Sequence, residues 1–106
     1  MSQLKLILTY VDSEELAEKI ANVLLEEKLA ACVGFFPVKS RYWWKGKINR
    51  NDNEFQLTIK TNASLVDETI EKIKQVHNYE LPAIEVLHIE NTNAGIKEWV
   101  NEVLKK

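Results

Sequence analysis

The chain has 106 residues, of which 45% are hydrophobic and 28% charged, and its formal net charge is −2 at pH 7. This length supports one domain, residues 1–106, with a single core and no room for a second. Its 14 basic and 16 acidic residues are mixed along the sequence instead of forming a basic stripe, so we expect no nucleic-acid partner.

The expected cellular compartment depends on targeting and membrane-spanning signals, which the sequence lacks. The chain begins without a basic leader, and no apolar run is long enough to cross a membrane. Its single cysteine, Cys32, cannot form an internal disulfide. We therefore expect a cytoplasmic protein with no membrane partner.

The first elements are a strand and a helix. Leu4 to Val11 is apolar at nearly every position, which indicates a strand covered on both faces and central in its sheet. Asp12 can act as an N-cap, and Glu15 follows it at the capping-box spacing. An apolar stripe with helical periodicity then continues to about Lys28.

A long second strand should follow, from Ala30 to Lys45. Pro37 interrupts it and has no N–H to donate, so we expect it at a bulge or on a sheet edge, where the strand divides into a base and a protruding arm. Lys45 and Gly46 can turn the arm back on itself as a hairpin.

The arm carries three consecutive aromatic residues, Tyr42, Trp43 and Trp44. On a strand, Tyr42 and Trp44 lie on one face and Trp43 on the other, so both faces need apolar cover. The rings could belong to the subunit's own core, but a small chain has few elements to cover two faces. We favour a partner subunit, and so a homo-oligomer in which these rings lie at the interface.

The second half predicts two strands and two helices. Phe55 to Lys60 alternates as a half-buried strand, preceded over Asn49 to Asn53 by a polar loop or an exposed irregular stretch. Ser64 with Asp67 should start a second helix, which ends near His77 because Pro82 disfavours helix just before it.

The last two elements complete the fold prediction. Ile84 to Ile89 should be a fourth strand, and Asn93 should cap a final helix. The order is that of an α+β ferredoxin-like sandwich, βαββαβ with an added C-terminal helix, whose antiparallel sheet extends into a long protruding β-hairpin.

Few residues are candidates for catalysis or metal binding. No enzyme signature is present, so we expect no catalytic activity. His77, Tyr79 and Glu80 form the densest polar cluster, a candidate metal site that is equally explained by turn structure before Pro82. Cys32 is expected to be a small core residue rather than a ligand.

Two further candidates remain. Lys60 and Arg41 could hold a small anion, although scattered cations are usually solvated surface. His88, in the fourth strand, is expected to be a hydrogen-bonded structural histidine.

Several segments together resemble the CutA family of divalent-cation tolerance proteins. They occur in the family's order and span nearly the whole chain: Leu29-Ala30-Ala31-Cys32-Val33, Tyr42-Trp43-Trp44-Lys45-Gly46-Lys47-Ile48, Lys60-Thr61, and His77-x-Tyr79-Glu80-x-Pro82-x-Ile84. The resemblance implies a tight homotrimer, with hairpins that reach across neighbouring subunits, and a role in tolerance to metals such as copper.

The resemblance also sets the expected ligands. Some family members have a metal-ligating cysteine where Thr9 stands, and two adjacent histidines where this chain has Val76 and His77. We therefore expect only weak binding of Cu(II) or Zn(II), through His77 with Tyr79 or Glu80. The alternative is a sensor module similar to the PII signalling proteins, which would bind a small anionic metabolite or nucleotide between subunits.

Overall fold

The computed structural model describes residues 2–106 and shows one antiparallel sheet with helices packed on it. The strands lie in the order β2-β3-β1-β4, which confirms the ferredoxin-like fold and the central position of β1. A short 3₁₀ turn, Ala63–Leu65, precedes α2. The elements are β1 (Leu4–Val11), α1 (Glu14–Glu26), β2 (Cys32–Trp44), β3 (Lys47–Asn62), α2 (Val66–Val76), β4 (Ile84–His88) and α3 (Ile96–Val103).

The core lies where one face of the sheet meets the helices. Alternate strand residues and one stripe of each helix supply it, as strand and helix periodicities require. Ile7 and Ile59 from the sheet, Leu24 from α1, Ile73 from α2 and Val100 from α3 are all fully buried.

The opposite face of the sheet is open in the subunit. Leu6 lies between Lys60 and Leu87 across strands β3, β1 and β4, so all three side chains point to the same face. Leu6 and Leu8 are only half-buried, and Leu87 is exposed. Strand β1 is therefore central but covered on one face only, and the cover predicted for its second face does not come from the described residues.

Strands β2 and β3 continue beyond the rest of the sheet as a hairpin arm, residues 38–54. Pairing of β1 with β3 ends at Phe55, whereas pairing of β2 with β3 continues to the tip. Lys45 and Gly46 both have positive φ, 54° and 79°, as a two-residue type I′ turn requires. A register shift after Val38 marks the base of the arm, and Pro37 lies beside it on an edge strand, as expected.

The predicted loop over Asn49 to Asn53 is wrong, because these residues belong to β3. Asn49 and Asn51 lie opposite Tyr42 and Ser40 on the neighbouring strand. Backbone pairing with β2 therefore keeps this polar stretch extended, even though its side chains give no strand signal.

Three helix starts also differ from the predictions. Ser13 caps α1 by accepting a hydrogen bond from the Leu16 N–H at 3.1 Å, whereas the Asp12 carboxylate accepts from the Asn78 side chain. Ser64 does not cap α2, because its hydroxyl donates to Asn62 instead.

The third difference concerns α3, where Gly95 rather than Asn93 precedes the first turn. Gly95 has a φ of 92°, and no side chain caps this helix. A backbone conformation that glycine adopts without strain thus takes the place of the predicted capping side chain.

Candidate functional site

A cleft of about 920 Å³ separates the base of the hairpin arm from the segment 78–85, which connects α2 to β4. Hydrogen bonds to the start of the chain hold this segment in place. The buried Thr9 hydroxyl donates to the carbonyl of Ala83 at 2.8 Å, and Asn78 donates to Asp12. The wall of the cleft is therefore fixed by β1 and by the residue that follows it.

Tyr79 and Glu54 form the floor of the cleft. The Tyr79 hydroxyl donates to the Glu54 carboxylate at 2.6 Å, and Glu54 is only 5% exposed. Burial, followed by the hydrogen bond and negative charge of Glu54, raises the pKa of Tyr79. Tyr79 therefore acts as a hydrogen-bond donor to Glu54, and forming its phenolate for metal ligation would be unfavourable.

His77 lies behind this floor with both ring nitrogens occupied. Its Nε2 lies 2.7 Å from the carbonyl of Tyr10, and its Nδ1 accepts a hydrogen bond from the N–H of Tyr79 at 3.1 Å. These partners select the neutral tautomer with the proton on Nε2. Burial lowers the pKa of His77, although the Tyr10 carbonyl opposes that shift. The ring orients the turn and has no nitrogen free for a metal in this arrangement.

Glu80 lies at the rim of the cleft, where its carboxylate is 3.5 Å from the Lys45 ammonium at the hairpin turn. The three candidate ligands thus occupy different depths: His77 behind the floor, Tyr79 in it and Glu80 on the rim. Between residues 2 and 106 no group of three or more His, Cys, Asp or Glu side chains has an arrangement that could hold a metal ion.

The two candidate anion-binding residues lie far apart within the subunit. Arg41, on the arm, is 2.9 Å from Asp52, and this contact lowers the pKa of Asp52. Lys60 lies on the open face of the sheet, opposite Cys32. Arg41 is nine positions beyond Cys32 along β2, which corresponds to roughly 30 Å. A cleft that uses both cations would require two subunits, and that stays a prediction.

The aromatic residues of the arm occupy both of its faces. Tyr42 and Trp44 line the cleft and are 44% and 36% exposed. Trp43 lies on the other face beside Ile48, and these two are 72% and 64% exposed. The interpretation in which the three rings form part of the subunit's core is therefore wrong, because the arm extends beyond the helices.

Two other residues differ from their predictions. Cys32 is exposed rather than a core residue, because its side chain lies on the open face of the sheet opposite Lys60. His88 is exposed on the edge strand β4, where its Nδ1 lies 3.5 Å from the Lys5 ammonium. That contact is too long to make His88 a firmly held structural residue.

Three cleft residues were not predicted from the sequence: Glu54, Tyr10 and Glu85. All three line the cleft, and negative charge on Glu85 and Glu54 adds to burial in raising the pKa of Tyr10. Strand alternation places Glu54 on the same face as Gln56, away from the helices, but no local pattern shows that Tyr79 will cover it. The contact joins residues 25 positions apart.

Fold, arm and cleft together define a class: a small ferredoxin-like protein with a projecting hairpin and an aromatic, acidic cleft at the base of that hairpin. Residues 5–103 match the family described as CutA1 divalent ion tolerance protein. The chain belongs to this family, as the sequence motifs predicted.

Individual members of the family are similar to this chain over most of its length. The divalent-cation tolerance protein CutA of Archaeoglobus fulgidus is 41% identical over 93 residues, which cover 88% of this chain and 90% of that protein. The solved structure of the periplasmic divalent cation tolerance protein CutA from Archaeoglobus fulgidus superimposes with a TM-score of 0.93 at 38% identity, covering 96% of this chain and 99% of the other. Protein CutA 1, chloroplastic, of Oryza sativa is 40% identical over 85% of this chain, which spans 51% of its length.

The names of these relatives refer to more than one compartment, one periplasmic and one chloroplastic. None of the helices described between residues 2 and 106 is long and apolar enough to cross a membrane. The cytoplasmic location expected from the sequence stays a prediction.

Proposed function

We propose that this chain acts in tolerance to divalent metal ions, as a homotrimer that binds Cu(II) or Zn(II) weakly. The observation that carries the proposal is membership of the divalent ion tolerance family, and the acidic cleft next to His77 supports metal binding there. Imidazole nitrogen suits copper and zinc, and the nearby carboxylates add hard oxygen donors.

Weak binding follows from the contacts that a metal would have to break. A metal ion at Nδ1 of His77 displaces the Tyr79 N–H, and one at Nε2 displaces the hydrogen bond to the Tyr10 carbonyl. Glu80 is easier to recruit, since its contact with Lys45 is long and exposed. A metal ion can therefore recruit the Glu80 carboxylate easily, but it must displace a hydrogen bond to reach the His77 imidazole. The affinity for metal should therefore be low.

Titration calorimetry with Cu(II) and with Zn(II) tests this site. His77→Ala should weaken binding several-fold, because it removes a directional ligand. The chain offers a matched control in His88→Ala, which removes the exposed histidine on β4. Equal isotherms for wild type and His77→Ala would remove His77 from the site, and a loss confined to His88→Ala would move the site to β4.

Two exposed apolar surfaces support the homotrimer. One is the arm, with Trp43 and Ile48 on its outer face, and the other is the open face of the sheet, with Leu6, Leu8 and Leu87. A protruding two-stranded arm and an uncovered sheet face are aggregation hazards unless another chain covers them.

The three rings contribute unequally to the proposed interface. Trp43 is the most exposed and should be covered most, whereas Tyr42 and Trp44 are already partly covered along their own cleft. Burying an indole removes about 150 to 250 Å² from water, which is the scale of an interface anchor.

Light scattering at micromolar concentration tests the assembly. Wild type should have three times the 12.3 kDa mass of one chain. Trp43→Ala should shift it toward smaller species, while Trp99→Ala, on α3, tests loss of an indole elsewhere. A wild-type mass of one chain would refute the trimer, and dissociation by Trp99→Ala alone would place the interface away from the arm.

The alternative role, a sensor of small anions, has less support from the charges. The cleft presents three carboxylates, those of Glu54, Glu80 and Glu85, and one guanidinium, that of Arg41. That guanidinium is already paired with Asp52. Even with the Lys45 ammonium beside Glu80 counted, carboxylates outnumber unpaired cations, so a cation is the better match for this cleft.

A further inference from the structure

The walls of the cleft are aromatic as well as acidic. Tyr10, Tyr42, Trp44 and Tyr79 line it together with the three carboxylates. Its volume of about 920 Å³ lies within the range of small-molecule sites, which are usually apolar with a few placed polar groups. A lone metal ion would leave most of this space and all of the ring surface unused.

We infer that the cleft between the hairpin arm and segment 78–85 binds a small organic cation, an ammonium ion that carries alkyl groups. Aromatic faces attract ammonium groups through their quadrupoles, and they do so best where the cation sheds water easily, as alkylated ammonium ions do. The carboxylates of Glu80 and Glu85 supply the opposite charge at the mouth of the cleft. This inference goes beyond the proposed metal tolerance and does not rest on it; it requires that the proposed trimer cover the Trp43 face of the arm and leave the cleft face open.

The hairpin itself shows the kind of contact that such a ligand would make. The Lys45 ammonium lies 5.8 Å from the ring centroid of Trp44, and it also approaches the Glu80 carboxylate. A ring and a carboxylate thus already share one ammonium group at the rim. Because Lys45 is exposed, a diffusible cation can compete for the same pair of groups.

The floor is suited to hold its shape while a ligand binds. Tyr79 is fixed through Glu54, and its backbone is fixed through His77. The wall is fixed through Thr9 and Ala83. Preorganised walls reduce the entropy cost of binding a small ligand.

Choline is a suitable probe, because its uncharged carbon analogue, 3,3-dimethyl-1-butanol, has nearly the same shape. The titration is run on the assembled protein in a buffer with a chelator, so that its outcome is separate from that of the metal experiments. The readout is the set of three indole N–H signals in NMR spectra. Of these indoles, that of Trp44 lines the cleft, whereas Trp43 is on the far face of the arm and Trp99 is on α3.

We expect choline to shift the Trp44 signal saturably, with a dissociation constant in the millimolar range, and the neutral analogue to leave it unchanged. Glu85→Gln should weaken choline binding about two- to fivefold. The matched control is Glu90→Gln, which removes the same charge outside the cleft and should leave the affinity unchanged.

Three results would overturn the inference. Equal shifts with choline and with its neutral analogue would mean that charge plays no part. No saturable shift of Trp44 would mean that the cleft is closed, for example by a neighbouring subunit. Equal weakening by Glu85→Gln and Glu90→Gln would show that only the net charge of the protein attracts choline.

Discussion

The hydrogen bond between Tyr79 and Glu54 gives the sharpest test of the cleft. Tyr79→Phe keeps the ring and removes only the hydroxyl, so the packing of the floor changes little. The lost bond is short, 2.6 Å, and its acceptor is a carboxylate on a residue that is 5% exposed. Such a carboxylate cannot replace the lost donor freely with water, so the change should lower the free energy of unfolding by about 1.5 to 3 kcal/mol.

The assay is equilibrium unfolding in urea at a fixed protein concentration, because the stability of an oligomer depends on concentration. Tyr42→Phe is the matched control, since none of the hydrogen bonds found among residues 2–106 uses the Tyr42 hydroxyl; it should change stability by less than about 0.5 kcal/mol. In a Glu54→Leu background, Tyr79→Phe should cost less than half as much, because the two residues act as a pair. Equal effects of Tyr79→Phe and Tyr42→Phe would refute the buried pair.

Three other predictions concern single residues. Because burial lowers the pKa of His77 from 6.5, the folded protein binds fewer protons than the unfolded chain, and the free energy of unfolding should fall as pH drops below about 6.5. In urea unfolding, His77→Gln should make the free energy of unfolding depend less on pH. An unchanged pH dependence in this variant would contradict the role of His77. Gly46→Ala, at a φ of 79°, should lower the free energy of unfolding by about 1 kcal/mol, measured by thermal unfolding. Lys45→Asn should leave it unchanged, because asparagine tolerates positive φ. No effect of Gly46→Ala would argue against this turn. Because the Cys32 thiol is exposed, Cys32→Ser should change the free energy of unfolding by less than about 0.5 kcal/mol and leave the metal-binding isotherms unchanged. A loss of about 1 to 3 kcal/mol would show that assembly buries this thiol in apolar surroundings.

The sequence predicted the elements whose residues pack against the subunit's own core. The bounds of β1 are Leu4 and Val11, as the apolar run indicated, and α2 ends within a residue of His77. Periodicity was informative there because burial against the helices selects apolar residues at alternate strand positions. The glycine at the arm's turn was equally informative, because a type I′ turn needs positive φ.

Prediction failed where long-range contacts decide the structure. The polar stretch before Phe55 is extended because β2 pairs with it, and not because its own residues favour a strand. Cys32 lies among apolar neighbours in sequence, yet strand alternation turns it to the open face.

The candidate site shows the same limit. His77, Tyr79 and Glu80 were recognised as a polar cluster, but their depths in the cleft depend on partners elsewhere in the chain. Tyr10 supplies the carbonyl beside His77, and Glu54 accepts from Tyr79. Local spacing cannot show contacts that span 67 and 25 positions.

The most direct test of the proposed function is growth of a bacterium that lacks a protein of this family, measured over a range of Cu(II) and Zn(II) concentrations. Cells that produce the wild-type chain should tolerate more metal than cells with the empty plasmid. Trp43→Ala should restore less tolerance, because it should weaken the proposed trimer. Growth identical to the empty plasmid, with the folded wild-type protein present in the cells, would contradict a role in divalent-cation tolerance.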